Sequence, residues 1–111
     1  MQQHRSFKYL MDILGSIEMA EEFSSDLLDV EAYLADNRTR LAIERCLEII
    51  GEATTQLLKI EPDVDISSIK KIVGLRNQIS HGYDDVDEVV IWEIIKVHLP
   101  ILKSEVQALL S

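Results

Sequence analysis

The sequence is poor in the residues that mark several common fold classes. Its 111 residues include two prolines, four glycines and a single cysteine, Cys46. One cysteine cannot form a disulfide framework within the chain, and such usage is typical of a reducing compartment. Few glycines and prolines, with no Asn-Gly or Asp-Gly pair to mark a hairpin, predict an all-α fold.

Long apolar runs are also lacking. No segment approaches the ~20 apolar residues that are needed to cross a bilayer, and charges interrupt the apolar positions near the N-terminus, unlike in a signal peptide. The length predicts one domain, 1–111, and the hydrophobic content of 47% predicts a folded core. We expect a cytoplasmic protein that does not contact the membrane.

Positive charge is scarce and unevenly distributed. Twenty acidic residues against eleven Lys and Arg give a net charge of -9, which opposes nucleic-acid binding by the molecule as a whole. Residues 70–83 nevertheless contain Lys70, Lys71 and Arg76 without any acid. This local positive segment has the charge needed to bind a phosphate group.

Most of the chain shows apolar residues at helical spacing, separated by polar clusters. Short connections favour antiparallel neighbours, so we predict an up-and-down bundle of four to five helices. Ser24, Ser25 and Asp26 are candidate caps of the second helix. The predicted helices cover residues 3–22, 26–35, 37–60 and 66–81, followed by a last helix from the 84–87 cluster to near 110 that is interrupted at Pro100. The first helix is expected to bury Phe7, Leu10, Met11, Leu14, Ile17 and Met19.

The stretch RNQISHGY, residues 76–83, is the most polar part of its predicted helix. At about 100° per residue, Arg76 and Tyr83 fall on the apolar stripe, whereas Asn77 and His81 lie together on a separate line. One interpretation is structural: Arg76 pairs with an acid of the third helix, Glu44, Glu48 or Glu52, on an otherwise solvated face, and His81 with Gly82 ends the helix.

The other interpretation makes Arg76, Asn77 and His81 a phosphate-handling set. A guanidinium fork suits phosphate oxygens, a histidine exchanges protons near neutral pH, and an asparagine orients either group. Such a set can drive attack of an RNA 2′-hydroxyl on its adjacent phosphate without a metal. On one helix Arg76 and His81 point about 140° apart, so this chemistry predicts a two-fold homodimer with a shared cleft.

The motif R-x4-H-x-Y, from Arg76 through His81 to Tyr83, resembles the signature of HEPN ribonucleases, and more narrowly that of HepT toxins of the MntA–HepT toxin–antitoxin systems. Similar to that family as well are the runs LADNRTR (34–40), RLAIERCLEIIGEA (40–53), IVGLRNQISHGY (72–83) and VVIWEIIKVHLP (89–100), so that the resemblance covers roughly residues 5–110. The acidic run Asp84–Asp87 departs from the family pattern, and we expect it either to weaken RNA binding or to tune it.

The resemblance implies a HEPN helical bundle that dimerises and cleaves RNA, with tRNA a plausible target. It implies that Arg76 and His81 are catalytic, with Asn77 as the polar residue beside the arginine. Tyr83 matches the tyrosine to which the nucleotidyltransferase antitoxin transfers AMP. No cofactor of this chain is implied, because ATP is used by the antitoxin. Lys70, Lys71 and Glu52 are candidate supporting or RNA-contact residues.

Other chemistries fit the sequence less well. His4 and His98 have no partners at metal-ligand spacing, so no metal site is predicted. Cys46 lies on an apolar face and is interpreted as a core residue. Trp92 is expected in the core or a dimer interface. The alternative to a ribonuclease is a catalytically inactive helical module that dimerises and binds a partner.

Overall fold

Every regular element of the described chain is helical, which confirms the all-α prediction. The structure is a computed structural model that describes residues 2–68, 70–74 and 87–111. Its elements are α1 (Gln2–Ser24), α2 (Val30–Ala35), α3 (Asn37–Ile60), α4 (residues 70–74), α5 (Glu88–Glu93), a π-helical segment (Ile94–His98) and α6 (Leu99–Leu110). Within these ranges, no helix is both long and apolar enough to span a bilayer.

The two longest helices, α1 and α3, pack as an antiparallel pair. The Ser6 hydroxyl near the start of α1 donates a hydrogen bond of 2.8 Å to Glu61 Oε1, at the C-terminal end of α3. Helix α6 runs antiparallel to α1, because Lys103 near its start lies 2.8 Å from Glu21 near the end of α1. This arrangement agrees with the predicted up-and-down bundle.

The core lies where α1, α3 and α6 meet, and α2 and α5 close one end of it. Ile13, Ile43 and Leu102 are fully buried there, one from each main helix. Tyr33 of α2 and Ile91 of α5 are fully buried as well. The third helix matches its predicted bounds, 37–60, and its buried hydrophobic residues are Ile43, Cys46, Leu47, Ile50, Ala53 and Leu57.

Leu57 offers a direct test of this core. It is fully buried, whereas Leu28 in the turn after α1 is 92% exposed. We expect Leu57→Ala to lower the free energy of unfolding by about 2–5 kcal/mol, because the cavity collapses only in part. Leu28→Ala is the matched control and should change it by less than about 0.5 kcal/mol. Urea unfolding followed by circular dichroism measures both, and equal effects would contradict the assigned core.

The predicted apolar face of α1 is partly wrong. Phe7, Met11 and Met19 are 56%, 44% and 48% exposed. Helical periodicity admits a broad apolar face, but α3 and α6 cover only a narrow stripe of α1. The α1 residues with hydrophobic side chains buried on that stripe are Leu10, Ile13, Ile17 and Ala20.

The second helix begins at Val30, four residues later than predicted, because the serines that were expected to cap it close α1 instead. The Ser24 and Ser25 hydroxyls donate to carbonyl groups in the last turn of α1, at 2.9 and 2.8 Å. The cap of α2 is Asp29, whose Oδ1 accepts the Ala32 N–H at 2.8 Å.

The expected interruption at Pro100 lies just upstream, in the π-helical segment Ile94–His98, and the helix continues through the proline. A proline inside a helix removes one backbone donor and crowds the carbonyl four residues earlier, here that of Lys96. A wider π turn relieves such crowding without ending the helix. Ile95 and Leu99 are both buried, and their packing keeps the helix continuous through this segment.

Candidate functional site

The predicted motif lies between two described flanks. Arg76, Asn77, His81 and Tyr83 are outside the described residues, and so is the predicted pairing of Arg76 with an acid of α3. Before the motif, α4 (70–74) carries Lys70 and Lys71; after it, α5 begins at Glu88. The geometry of these flanks determines where the chain enters and leaves the motif.

The upstream flank is attached to the bundle by both apolar and polar contacts. Ile66 and Ile72 are buried, 6% and 7% exposed. The Ser67 N–H donates to Glu105 Oε2 of α6 at 2.9 Å. Lys70 and Lys71 are exposed at the start of α4, as RNA-contact residues must be.

Lys71 contacts His98, which the sequence had suggested only as an unlikely metal ligand. Lys71 Nζ lies 3.1 Å from His98 Nε2. An ammonium group can only donate, so a hydrogen bond between these two groups has Nε2 as its acceptor. Glu93 Oε1 lies 3.8 Å from the same nitrogen. No sequence spacing relates residues 71 and 98, so only the packing of α4 against the π-helical segment shows this pair.

Glu52 lies on the exposed side of α3 and accepts a hydrogen bond of 3.1 Å from Gln56. It borders a groove between α1 and α3, with a volume of about 420 Å³. The groove holds cationic, anionic and amide groups, so it can present donors and acceptors to a polar ligand. Its lining includes Lys8, Tyr9, Asp12, Arg45, Glu48, Glu52 and Gln56.

A second group of polar side chains lies where α2, α3 and α5 meet, with Tyr33 and Glu44 buried and Arg40 and Glu88 half-buried. We call these four residues the buried junction. The Tyr33 hydroxyl donates to Glu88 Oε2 at 3.0 Å. An Arg40 guanidinium nitrogen lies 3.7 Å from Glu88 Oε1. Trp92 packs on Tyr33 with ring centroids 5.5 Å apart, so this predicted core residue covers the junction while half-buried itself.

Glu44 corrects the expectation of a solvated face, since it is only 5% exposed. Its Oε1 and the Nε of Arg40 are buried, and neither has a hydrogen-bond partner among the described residues. Burial, and then the facing Glu88 carboxylate, raise the pKa of Glu44 to about 7. Burial also raises the pKa of Tyr33, which therefore keeps the proton that it donates to Glu88. Sequence reasoning missed the junction because its members come from three separate helices.

Cys46 is 2% exposed in the core, and burial raises the pKa of its thiol, which is how a packing residue behaves. Across the described ranges, no group of three or more His, Cys, Asp or Glu side chains is placed to hold a metal ion.

The described residues define an all-helical protein. In its sequence the polar motif lies between α4 and α5, two helices that contact the rest of the bundle. Comparison with known proteins identifies the family: Ribonuclease HepT-like matches residues 13–109. The chain belongs to the HepT-like ribonuclease family.

Individual relatives are similar in sequence to this protein over nearly the whole chain. The protein named "Probable ribonuclease HepT" in Thermococcus cleftensis is 34% identical over 110 residues, which is 95% of this chain and 96% of that protein. A protein of Methanocaldococcus jannaschii named "Putative RNase" is 36% identical over 89% of this chain and 91% of its own length. Another "Putative RNase", from Caldanaerobacter subterraneus, is 35% identical over 93% of this chain and 92% of its own length. No solved structure matches.

Proposed function

We propose that this protein is a metal-independent endoribonuclease and the toxin of a toxin–antitoxin pair. The observation that carries the proposal is a complete R-x4-H-x-Y motif, Arg76 to Tyr83, in a chain that belongs to the HepT-like ribonuclease family over residues 13–109. The relatives' names support nuclease activity, and the motif supplies the groups that such an activity needs.

The reaction assigned to the motif is transesterification within RNA. His81 accepts the proton of a ribose 2′-hydroxyl, whose oxygen forms a bond to the adjacent phosphorus as the bond to the 5′-oxygen breaks. Arg76 holds the phosphate oxygens, on which negative charge accumulates, and Asn77 orients a phosphate oxygen or the imidazole. The leaving 5′-oxygen takes up a proton, and the products carry a 2′,3′-cyclic phosphate and a 5′-hydroxyl.

A homodimer brings the motif residues together in this proposal. Because Arg76 and His81 are five positions apart, a straight helix points them about 140° apart. A two-fold axis beside the motif supplies each cleft with groups from both subunits. The shared cleft also restricts RNA binding to one local region of a protein with net charge -9.

The first test is RNA cleavage by the purified protein in the presence of EDTA. We expect tRNA or messenger RNA fragments with 5′-hydroxyl ends, and no cleavage of 2′-deoxy oligonucleotides of the same sequence, since these lack the attacking group. Cleavage that EDTA abolishes would contradict the metal-independent mechanism. Absence of cleavage by a folded dimer would favour the partner-binding alternative.

Lys71 is proposed to contact the RNA backbone at the upstream flank. We expect Lys71→Ala to weaken RNA binding without sequence preference and to reduce the slope of log K against log salt by about 0.7–1, the loss of about one phosphate contact. Lys59→Ala is the matched control, because Lys59 is also exposed but lies at the far end of α3. Fluorescence anisotropy across a salt series measures both slopes. Equal slopes for Lys71→Ala and wild type would remove Lys71 from the RNA interface.

The proposed regulation is transfer of AMP from ATP to Tyr83 by an MntA-type nucleotidyltransferase. The tyrosine hydroxyl attacks the α-phosphate of ATP, pyrophosphate leaves, and Tyr83 becomes a phosphodiester. Two residues from His81, the added negative charge and bulk oppose an RNA backbone. ATP is a substrate of the partner, and the chain itself needs no cofactor in this scheme.

A further inference from the structure

Two side-chain nitrogen atoms from separate elements meet at the surface beside α4. Lys71 Nζ lies 3.1 Å from the Nε2 atom of His98, the last residue of the π-helical segment. We call Lys71 and His98 the lysine–histidine pair. Lys71 is exposed, and the His98 side chain is 20% exposed. The pair therefore lies where a ligand in solution can approach it.

The packing of the bundle holds both members of the pair. Ile72, the residue after Lys71, is buried and only 7% exposed. Leu99, the residue after His98, is 1% exposed. Each member is therefore followed by a core residue that fixes its backbone, so the contact between the two side chains is a property of the folded protein.

The contact between Lys71 and His98 requires a neutral imidazole. An ammonium group has no acceptor, and a protonated imidazole has none either. Protonation of His98 therefore replaces the hydrogen bond by two positive charges that face each other across 3.1 Å and repel. An anion that contacts both nitrogen atoms would remove this repulsion and accept a hydrogen bond from each.

Glu93 is the carboxylate that faces the pair. Its Oε1 lies 3.8 Å from His98 Nε2, and its side chain is 61% exposed. At this distance the carboxylate attracts a protonated imidazole, but an ion pair at such an exposed position is weak. A small anion from solution therefore has to displace only a weakly held competitor.

Other charged groups close to His98 in the sequence have contacts of their own. Glu105 of α6 accepts the Ser67 N–H at 2.9 Å. Lys96 lies over the Trp92 ring, with its Nζ 4.6 Å from the ring centroid. Within the described ranges, the charged groups in contact with the imidazole of His98 are therefore one lysine, from α4, and one glutamate, from α5.

We propose that Lys71 and His98 bind one phosphate group, which accepts a hydrogen bond from the ammonium and another from the protonated imidazole and displaces Glu93. Two cationic donors match the several charged oxygens of a phosphate. The additional proton comes from solvent, so phosphate binding is accompanied by proton uptake. The pair does not depend on nuclease activity, whereas the assignment of its phosphate to an RNA backbone rests on the proposed function.

Phosphate binding should weaken as the pH rises. A phosphodiester keeps its negative charge around neutral pH, whereas a histidine exchanges its proton there. Because the complex holds a proton on His98 that the free protein gives up, the affinity should fall by at most about tenfold per pH unit while the imidazole titrates. His98→Gln keeps a neutral donor that does not titrate, so its affinity should depend less on pH.

An oligonucleotide of 2′-O-methyl RNA tests the pH dependence without cleavage, because it has no 2′-hydroxyl to attack phosphorus. Fluorescence anisotropy over a pH series should show a steeper loss of affinity for wild type than for His98→Gln. Both proteins carry His81, so its contribution is common to the two. His4→Gln is the matched control and should behave as wild type. Circular dichroism establishes that each variant is folded.

Glu93→Gln should bind the same oligonucleotide more tightly than wild type, by about 2–5-fold, because the competing carboxylate is gone. A contact with a purely structural role does not predict this gain. Glu22→Gln is the matched control, since it removes the same charge from an exposed position on α1. Equal affinities for Glu93→Gln and Glu22→Gln would contradict the competition at His98.

Nuclear magnetic resonance distinguishes the two sources of phosphate. The imidazole resonances of His98, assigned by their loss in His98→Gln, should shift with the oligonucleotide and with inorganic phosphate, but not with sodium chloride at equal ionic strength. A shift with inorganic phosphate alone would refute the RNA contact and support a site for free phosphate. No shift with either, or equal pH dependence for wild type and His98→Gln, would overturn the proposal.

These measurements also separate the proposal from the proposed function. The oligonucleotide cannot be cleaved by attack of a 2′-hydroxyl, and inorganic phosphate contains no RNA. A protein whose His98 responds to both ligands but which cleaves no RNA would support the phosphate site and refute the proposed nuclease activity.

Discussion

Replacing His81 by alanine is expected to reduce RNA cleavage by about 10²–10⁴-fold, the usual contribution of a general acid–base group. The same variant should no longer arrest growth when it is expressed without an antitoxin. In the proposed mechanism, both effects follow from loss of the imidazole that is assigned to exchange protons at neutral pH. Cleavage is measured on end-labelled RNA under single-turnover conditions, and toxicity by colony counts after induction.

The matched control for this prediction is His4→Ala, because His4 lies near the N-terminus and belongs to no motif. It should cleave RNA at the wild-type rate. Circular dichroism and thermal unfolding of His81→Ala establish that the variant is folded. Wild-type cleavage by folded His81→Ala would refute the assigned chemistry.

Mixed dimers distinguish a shared cleft from a site within one subunit. Arg76→Ala and His81→Ala are each expected to be inactive. When the two are mixed and allowed to exchange subunits, a cleft built from both chains regains an intact pair of groups on one side. We therefore expect partial recovery of cleavage. A mixture that stays inactive despite demonstrated subunit exchange would place Arg76 and His81 of one chain in the same site.

Co-expression with an MntA-type nucleotidyltransferase is expected to add AMP to Tyr83 and to abolish cleavage. Intact-mass spectrometry should show wild type heavier by one or more AMP units, and Tyr83→Phe unchanged. Tyr83→Phe should also stay toxic in the presence of the antitoxin, because it has no hydroxyl to accept AMP. The expected loss of activity on modification is large because negative charge is added two residues from His81.

The other two tyrosines make this prediction specific. Tyr33 is fully buried and its hydroxyl is hydrogen-bonded to Glu88, so a second enzyme cannot reach this hydroxyl. Tyr9 is half-buried on α1. Tyr9→Phe is therefore the matched control and should still gain AMP and lose activity. Equal AMP addition to wild type and Tyr83→Phe would refute the assigned acceptor.

Local sequence patterns predicted a helix correctly where its cap and its apolar residues belong to that one helix. The predicted bounds of α3, 37–60, agree with the structure, where the Asp36 side chain caps the helix by accepting the Thr39 N–H at 3.0 Å. The predicted start of α2 was wrong because a serine hydroxyl can hydrogen-bond either to the helix before it or to the helix after it. Sequence spacing does not distinguish these two partners.

The candidate site likewise contains residues that are close together in the sequence and residues that only the fold brings together. The R-x4-H-x-Y motif and the two lysines before it all lie within residues 70–83, so a chemistry could be proposed for them from the sequence alone. The Lys71–His98 contact and the buried junction join residues that are far apart in the chain, and no pattern relates them. Glu44 shows the difference most clearly: its spacing from Glu48 and Glu52 suggested a solvated row, yet it is buried in the fold.

By itself, the sequence determined an all-α chain, the family resemblance, and the motif that carries the proposed chemistry. These depend on residue types and on periodicities within single helices, which are local properties. Only the tertiary structure decided that α1 exposes Phe7 and Met11, that His98 meets Lys71, and that Glu44 is buried. Exposure and pKa depend on which helices lie against a residue, and that is a property of the assembled fold.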